Sequence, residues 1–174
     1  MLPPIWHPGT KAKGVGGYGV GLVTQTGKLS KRAKESARKR SASLKPGSTR
    51  ATVLLVDDDP SVLPAMARLI RSAGYAVISF DRPSAVLTGD LPRDNACIVV
   101  DVHLPEMNGL ELCRTLARSR RELPVIMMSG RKDSETLRLM QQADSVANLF
   151  KPIDEAALFE AIDCGLARSR RRPS

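Results

Sequence analysis

The sequence predicts an α/β domain, a doubly wound five-stranded parallel sheet with helices on both faces. Three observations carry that prediction. Short apolar, β-branched runs recur five times after residue 50, as strands buried on both faces do. Each run is followed by a stretch whose apolar residues have helical spacing. Charge changes at the same boundary: residues 1–50 hold 11 Lys and Arg against one acid, Glu35, whereas residues 51–167 hold 12 basic and 17 acidic side chains.

The first strand is Thr52-Val-Leu-Leu-Val56. Asp59-Pro60 then reads as an N-cap with proline at the first helical position. Val62, Met66, Leu69, Ile70 and Ala73 line one helix face, with Pro64 awkward in the first turn and Gly74 ending the helix at C′. Ala76 to Phe80 is the second strand, and a short helix follows Pro83. Cys97 to Val100 is the third strand, and the helix from Leu110 to Arg118 turns Leu112, Cys113 and Leu116 inward. Pro124 to Met128 is the fourth strand, Ser134 to Gln142 a helix, and Val146 to Phe150 the fifth strand. Ile153-Asp154 opens a last helix with Leu158, Phe159, Ile162 and Leu166 apolar.

The domain organisation expected is a disordered basic tail over 1–50, a globular domain over 51–167 and a basic C-terminal tail over 168–174, with no room for a second domain in 174 residues. The net charge of +9 suggests a nucleic-acid binder, but the globular part alone is acidic, at −5. Aromatics at 3% argue against a base-stacking platform. Three scattered cysteines make neither a disulfide scaffold nor a zinc site. No apolar run approaches the ~18 residues of a membrane span. No secretory signal is visible at the N-terminus, so a cytoplasmic location is expected. Two phosphate-loop lookalikes, Gly14 to Gly19 and Gly21 to Lys28, lack the strand–loop–helix context such loops need.

Ligands of open α/β sheets bind at the carboxyl ends of the strands. Strand one delivers Asp57, Asp58 and Asp59 there, strand three Asp101, strand four Ser129 and strand five Lys151. Crowded carboxylates repel unless a cation neutralises them, and Mg2+ suits a site that offers one or two carboxylates and a phosphate. One carboxylate can then act as nucleophile and form an aspartyl-phosphate, with Lys151 and the Ser129 hydroxyl serving phosphoryl oxygens.

The span from about Val53 to Leu166 resembles the receiver domain of two-component response regulators. The matching stretches are Val56-Asp57-Asp58-Asp59, the run from Val100-Asp101 through Pro105 and Gly109 to Leu112, Met128-Ser129-Gly130, and Lys151-Pro152. The resemblance implies a flavodoxin-like sheet in the order 2-1-3-4-5. It implies Asp101 as phosphoacceptor for a sensor histidine kinase or phosphotransfer protein. Asp57, Asp58, Asp101 and the backbone carbonyl of His103 would hold Mg2+. Ser129 would close onto the phosphate, Lys151 would pair with it, and the bond before Pro152 would be cis. Such a protein is not classed as an enzyme. As a stand-alone receiver it signals to a downstream protein target by contact, and the face from the fourth to the fifth helix is a candidate homodimer surface.

The match departs at Asn148, where receivers carry the Tyr or Phe of a rotamer switch. Phe150 is expected to point the opposite way, since strand side chains alternate. Signal is then expected to leave through backbone movement after Ser129 and rearrangement of the fourth helix. Asp59 is read as a helix cap, the His103 side chain as tuning access to the site, and Cys97 and Cys113 as buried inert thiols. Two rivals remain: a nucleic-acid-associated regulator making weak contacts through its basic tails, and a small phosphatase with an aspartate nucleophile. The phosphatase would carry a second acid where this chain has His103.

Overall fold

The computed structural model describes residues 50–92, 94–119 and 122–170. The strands are β1 (Thr52–Val56), β2 (Ala76–Phe80), β3 (Ala96–Asp101), β4 (Val125–Ser129) and β5 (Ser145–Phe150). They form one parallel sheet in the order β2-β1-β3-β4-β5, the flavodoxin-like order expected. The helices are α1 (Val62–Ser72), α2 (Pro83–Thr88), α3 (Gly109–Arg118), α4 (Ser134–Gln142) and α5 (Glu155–Arg170). The expected N-terminal tail with its glycine-rich segments, up to residue 49, and residues 171–174 lie outside the described residues.

Alternate residues of the central strands feed two cores. Leu54, Val56, Ile98, Val100 and Met127 pack with Val86 of α2, Leu112 and Leu116 of α3, and Leu139 and Met140 of α4. On the other face Val53, Leu55, Val99 and Met128 meet Ala67 and Ile70 of α1 and Leu158, Ile162 and Leu166 of α5. Both faces of β1 and β3 are covered, which is why their sequences run apolar without alternation. Each fully buried Leu or Ile contributes about 1.5–3 kcal/mol, so the centre of the sheet is a stiff platform for its strand ends.

Two helix starts lie beside the strand ends that carry the site, and the end of a third departs from the expected boundary. α1 begins at Val62 rather than after Asp59, yet the Asp59 carboxylate still accepts the N–H groups of Ser61 and Val62 at 2.8 and 3.2 Å. Pro64 falls in the first turn, where the N–H that proline lacks has no helical carbonyl to meet. α3 is closed by a capping box in which Asn108 accepts the Glu111 N–H at 2.9 Å and Glu111 accepts the Asn108 N–H at 3.2 Å. α5 continues through Arg170, into the stretch expected as a tail. Arg168 pairs there with Asp144, and Arg170 donates to Asn95 at 3.1 Å. Cations in a last helical turn also suit the helix dipole.

Candidate functional site

Register brings the chemistry to one edge of the sheet. Val56 pairs with Val100, so Asp57, the next residue, emerges beside Asp101 at the end of β3. Asp101 pairs with Met128, and Ser129 closes β4 one residue later. Ser129 pairs with Phe150, which sets Lys151 just past the end of β5, its N–H donating to the Ser129 carbonyl at 2.8 Å. Asp57 is 0% exposed and Asp101 5%.

Lys151 Nζ donates to Asp57 Oδ2 at 2.7 Å and also to Asp101 Oδ2. The remaining carboxylate oxygens are held by backbone: Asp57 Oδ1 accepts the Asp59 N–H at 3.0 Å, and Asp101 Oδ1 accepts the His103 N–H at 2.8 Å. Burial pushes the Asp57 carboxyl above its ordinary value, against the bonds from Lys151 and Asp59. Burial works to lower the Lys151 ammonium, but its bonds to Asp101 and Asp57 outweigh this and hold it above the usual lysine value. One ammonium thus serves two buried carboxylates. It gains from both, while the pocket stays short of positive charge.

Local structure forces this geometry. Gly109 opens α3 against the end of β3, where a Cβ would stand 2.3 Å from the Asp101 carbonyl oxygen, so only glycine fits. Its N–H donates to the Val102 carbonyl at 3.0 Å, fixing the turn after Asp101. The Lys151–Pro152 peptide bond is cis. Asp58, between the buried Asp57 and the helix-capping Asp59, is exposed to solvent. Among the described residues no three His, Cys, Asp or Glu side chains are gathered as a cage for a metal ion. The donor set nevertheless fits a hard divalent cation. Both buried partners are carboxylates, the charge is uncompensated, and magnesium takes one or two carboxylates while keeping its waters.

Two expectations change. Phe150 does not face away from position 148: only Leu149 lies between them, so both project to one face of β5. Phe150 packs against the core under α3 and α4, with Lys132 Nζ 5.3 Å from its ring centre. Asn148 is exposed and accepts the Ser145 hydroxyl at 2.9 Å. The His103 ring does more than border the pocket, since its Nε2 lies 2.8 Å from Thr136 Oγ1 in the first turn of α4. Sequence reasoning passed over Thr136, although Asp133, three residues before it, marks a helix N-cap. Cys97 and Cys113 have thiols pushed up to about 12 by burial, too high for thiolate chemistry near neutral pH.

Residues 53–163 match the family model of the response regulator receiver domain, more than half of the chain. The chain belongs to that family. Nodulation protein W of Bradyrhizobium diazoefficiens is 32% identical over 125 residues, covering 72% of this chain and 55% of the relative. Transcriptional regulatory protein FixJ of Azorhizobium caulinodans is 35% identical over 117 residues, covering 67% and 56% respectively. The receiver thus spans about half the length of these curated relatives. The crystal structure of FixJ-N superposes with a TM-score of 0.63 at 26% identity, over 73% of this chain and 99% of that one. Receivers act in two-component signalling, and phosphorylation on aspartate and magnesium binding are general properties of the family. Among the described residues, no helix is long and apolar enough to cross a membrane.

Proposed function

We propose that this receiver accepts a phosphoryl group on Asp101 and signals by protein contact. The observation that carries the reading is the pairing of Asp101 with Lys151 at the end of β3, in a buried pocket shared with Asp57. The phosphoryl group passes from a phosphohistidine nitrogen to a carboxylate oxygen of Asp101, the P–N bond breaking as the P–O bond forms. Lys151 stands ready to trade a carboxylate oxygen for a phosphoryl oxygen, and the Ser129 hydroxyl is delivered to the same edge. Asp57, Asp58, Asp101 and the His103 carbonyl are the groups that would hold magnesium. When bound, the cation supplies positive charge where the phosphoryl oxygens gather.

The same reading takes a sensor histidine kinase or phosphotransfer protein as the donor and a protein target as the recipient, in the cytoplasm. It assigns the chain a switching role rather than an enzyme's. Incubation with acetyl phosphate and magnesium, followed by intact mass, tests it. The expected result is a labile gain of about 80 Da, one phosphoryl group, absent from Asp101→Asn. An adduct that survives this substitution would place the phosphoacceptor elsewhere.

A further inference from the structure

Two lines of hydrogen bonds leave the acidic pocket, and both end on the cap of α4. The first starts at Asp101, whose Oδ1 accepts the His103 N–H at 2.8 Å, while His103 Nε2 lies 2.8 Å from Thr136 Oγ1. Thr136 is fully buried, and its hydroxyl donates to Asp133 Oδ1 at 2.9 Å. A threonine hydroxyl has one proton to give, so it faces His103 as an acceptor, which assigns the ring proton to Nε2. The second line starts at Ser129. Its Oγ accepts the Arg131 N–H at 3.0 Å, and Arg131 Nε donates to Asp133 Oδ2 at 2.7 Å. Asp133 therefore takes one line on each carboxylate oxygen, and Oδ1 also caps α4 by accepting the Thr136 N–H at 2.9 Å.

We infer that this double connection carries the state of the pocket to the first turn of α4, with His103 and Thr136 as positioning residues. The inference rests on Asp101 as phosphoacceptor. An acyl phosphate on Asp101 changes the charge that the His103 N–H meets, and a Ser129 hydroxyl turning to a phosphoryl oxygen changes what the Arg131 N–H meets. Both changes arrive at one carboxylate, and that carboxylate holds the orphan N–H of Thr136 in the first turn. The route avoids β5, where Asn148 is exposed and tied to Ser145 and has no aromatic ring to move. His103 and Thr136 are 33 residues apart in sequence, so their bond ties the loop after Asp101 to a different helix from the one that loop opens.

The test follows backbone amide exchange over residues 131–142 in the whole chain, with and without acetyl phosphate and magnesium. Intact mass scores the adduct in the same samples. In the unsubstituted protein, phosphorylation should change exchange across this segment. Thr136→Val should still take up the adduct but lose that change, and Thr136→Ser, which restores the hydroxyl, should regain it. Adducted Thr136→Val with the full change would overturn the inference and leave the phosphoacceptor reading standing. No adduct on the unsubstituted protein would overturn both. Should Thr136→Val fail to fold by circular dichroism, Thr136→Ala against Thr136→Ser decides the matter.

Discussion

The Lys151 ammonium, just past the end of β5, reaches Asp57 Oδ2 at 2.7 Å across the ends of β3 and β4. On the way it also bonds Asp101. The lysine side chain is 22% exposed, whereas the Asp57 side chain is wholly buried. A single cation, open to water at one side, therefore holds two desolvated carboxylates together. The pocket is stable enough to exist and unbalanced enough to welcome further positive charge.

Asp57→Asn should stabilise the fold at neutral pH, by on the order of 1 kcal/mol, because the remaining Lys151–Asp101 pair is then balanced. The Asp57 carboxyl is raised by burial, so the folded state binds its proton more tightly than the unfolded chain does. Its stability contribution is unfavourable and grows as pH rises from the ordinary carboxylate value through the raised one. Urea unfolding at several pH values checks this. The gain from Asp57→Asn should shrink towards acid, and a variant less stable than its parent at pH 7 would show that Asp57 is fully compensated.

Gly109→Ala should cost about 1–3 kcal/mol, the range for overpacking, since the added Cβ would meet the Asp101 carbonyl oxygen at 2.3 Å. That oxygen is backbone and can yield only by moving the end of β3. Gly130→Ala is the control: its Cβ would come no closer than 4.0 Å, to Lys151 Cδ. It should change stability by no more than about 0.5 kcal/mol, as an unstrained surface substitution does. Equal losses at the two glycines in thermal melts would refute the steric explanation.

The strands were legible because β1 and β3 are buried on both faces and so carry an uninterrupted apolar signal. Asp57, Asp101, Ser129 and Lys151 were legible as a group because a parallel sheet puts all its carboxyl ends at one edge. How they divide the work was not. That Lys151 serves both carboxylates while Asp58 stays in solvent depends on side-chain reach, which strand positions do not encode. The His103–Thr136 bond joins a loop to a helix across the sheet edge, and neither residue type announces it. The orientation of Phe150 was within reach of the period-two rule, since positions 148 and 150 share parity.

Acid should loosen the start of α4. The Thr136 N–H and hydroxyl, with help from Arg131, hold the Asp133 carboxyl down at about 2, below its ordinary 3.8. A depressed carboxylate contributes stability that is present above its unfolded value and lost as pH falls through its folded one. Amide exchange at Thr136 and Leu137, corrected for its intrinsic pH dependence, should therefore accelerate between about pH 4 and 2. In Asp133→Asn this acceleration should be absent, the amide oxygen having no proton to take up. An unaltered acid response in that variant would mean that another group titrates the helix start.

Asn148→Tyr should leave phosphorylation-dependent coupling to α4 unchanged, because the bonds that reach Asp133 start from His103 and Arg131 rather than from β5. The substitution forfeits one exposed bond from Ser145 and should move stability by less than about 0.5 kcal/mol. Phe150→Ala should be far more costly, on the order of 2 kcal/mol, because its half-buried ring packs against the core under α3 and α4 and carries Lys132 above it. Thermal melts separate the two substitutions by stability, and exchange over residues 131–142 separates them by coupling. A coupling altered by Asn148→Tyr would show that an aromatic at this position can still intercept the signal, and that the β5 face has kept a route of its own.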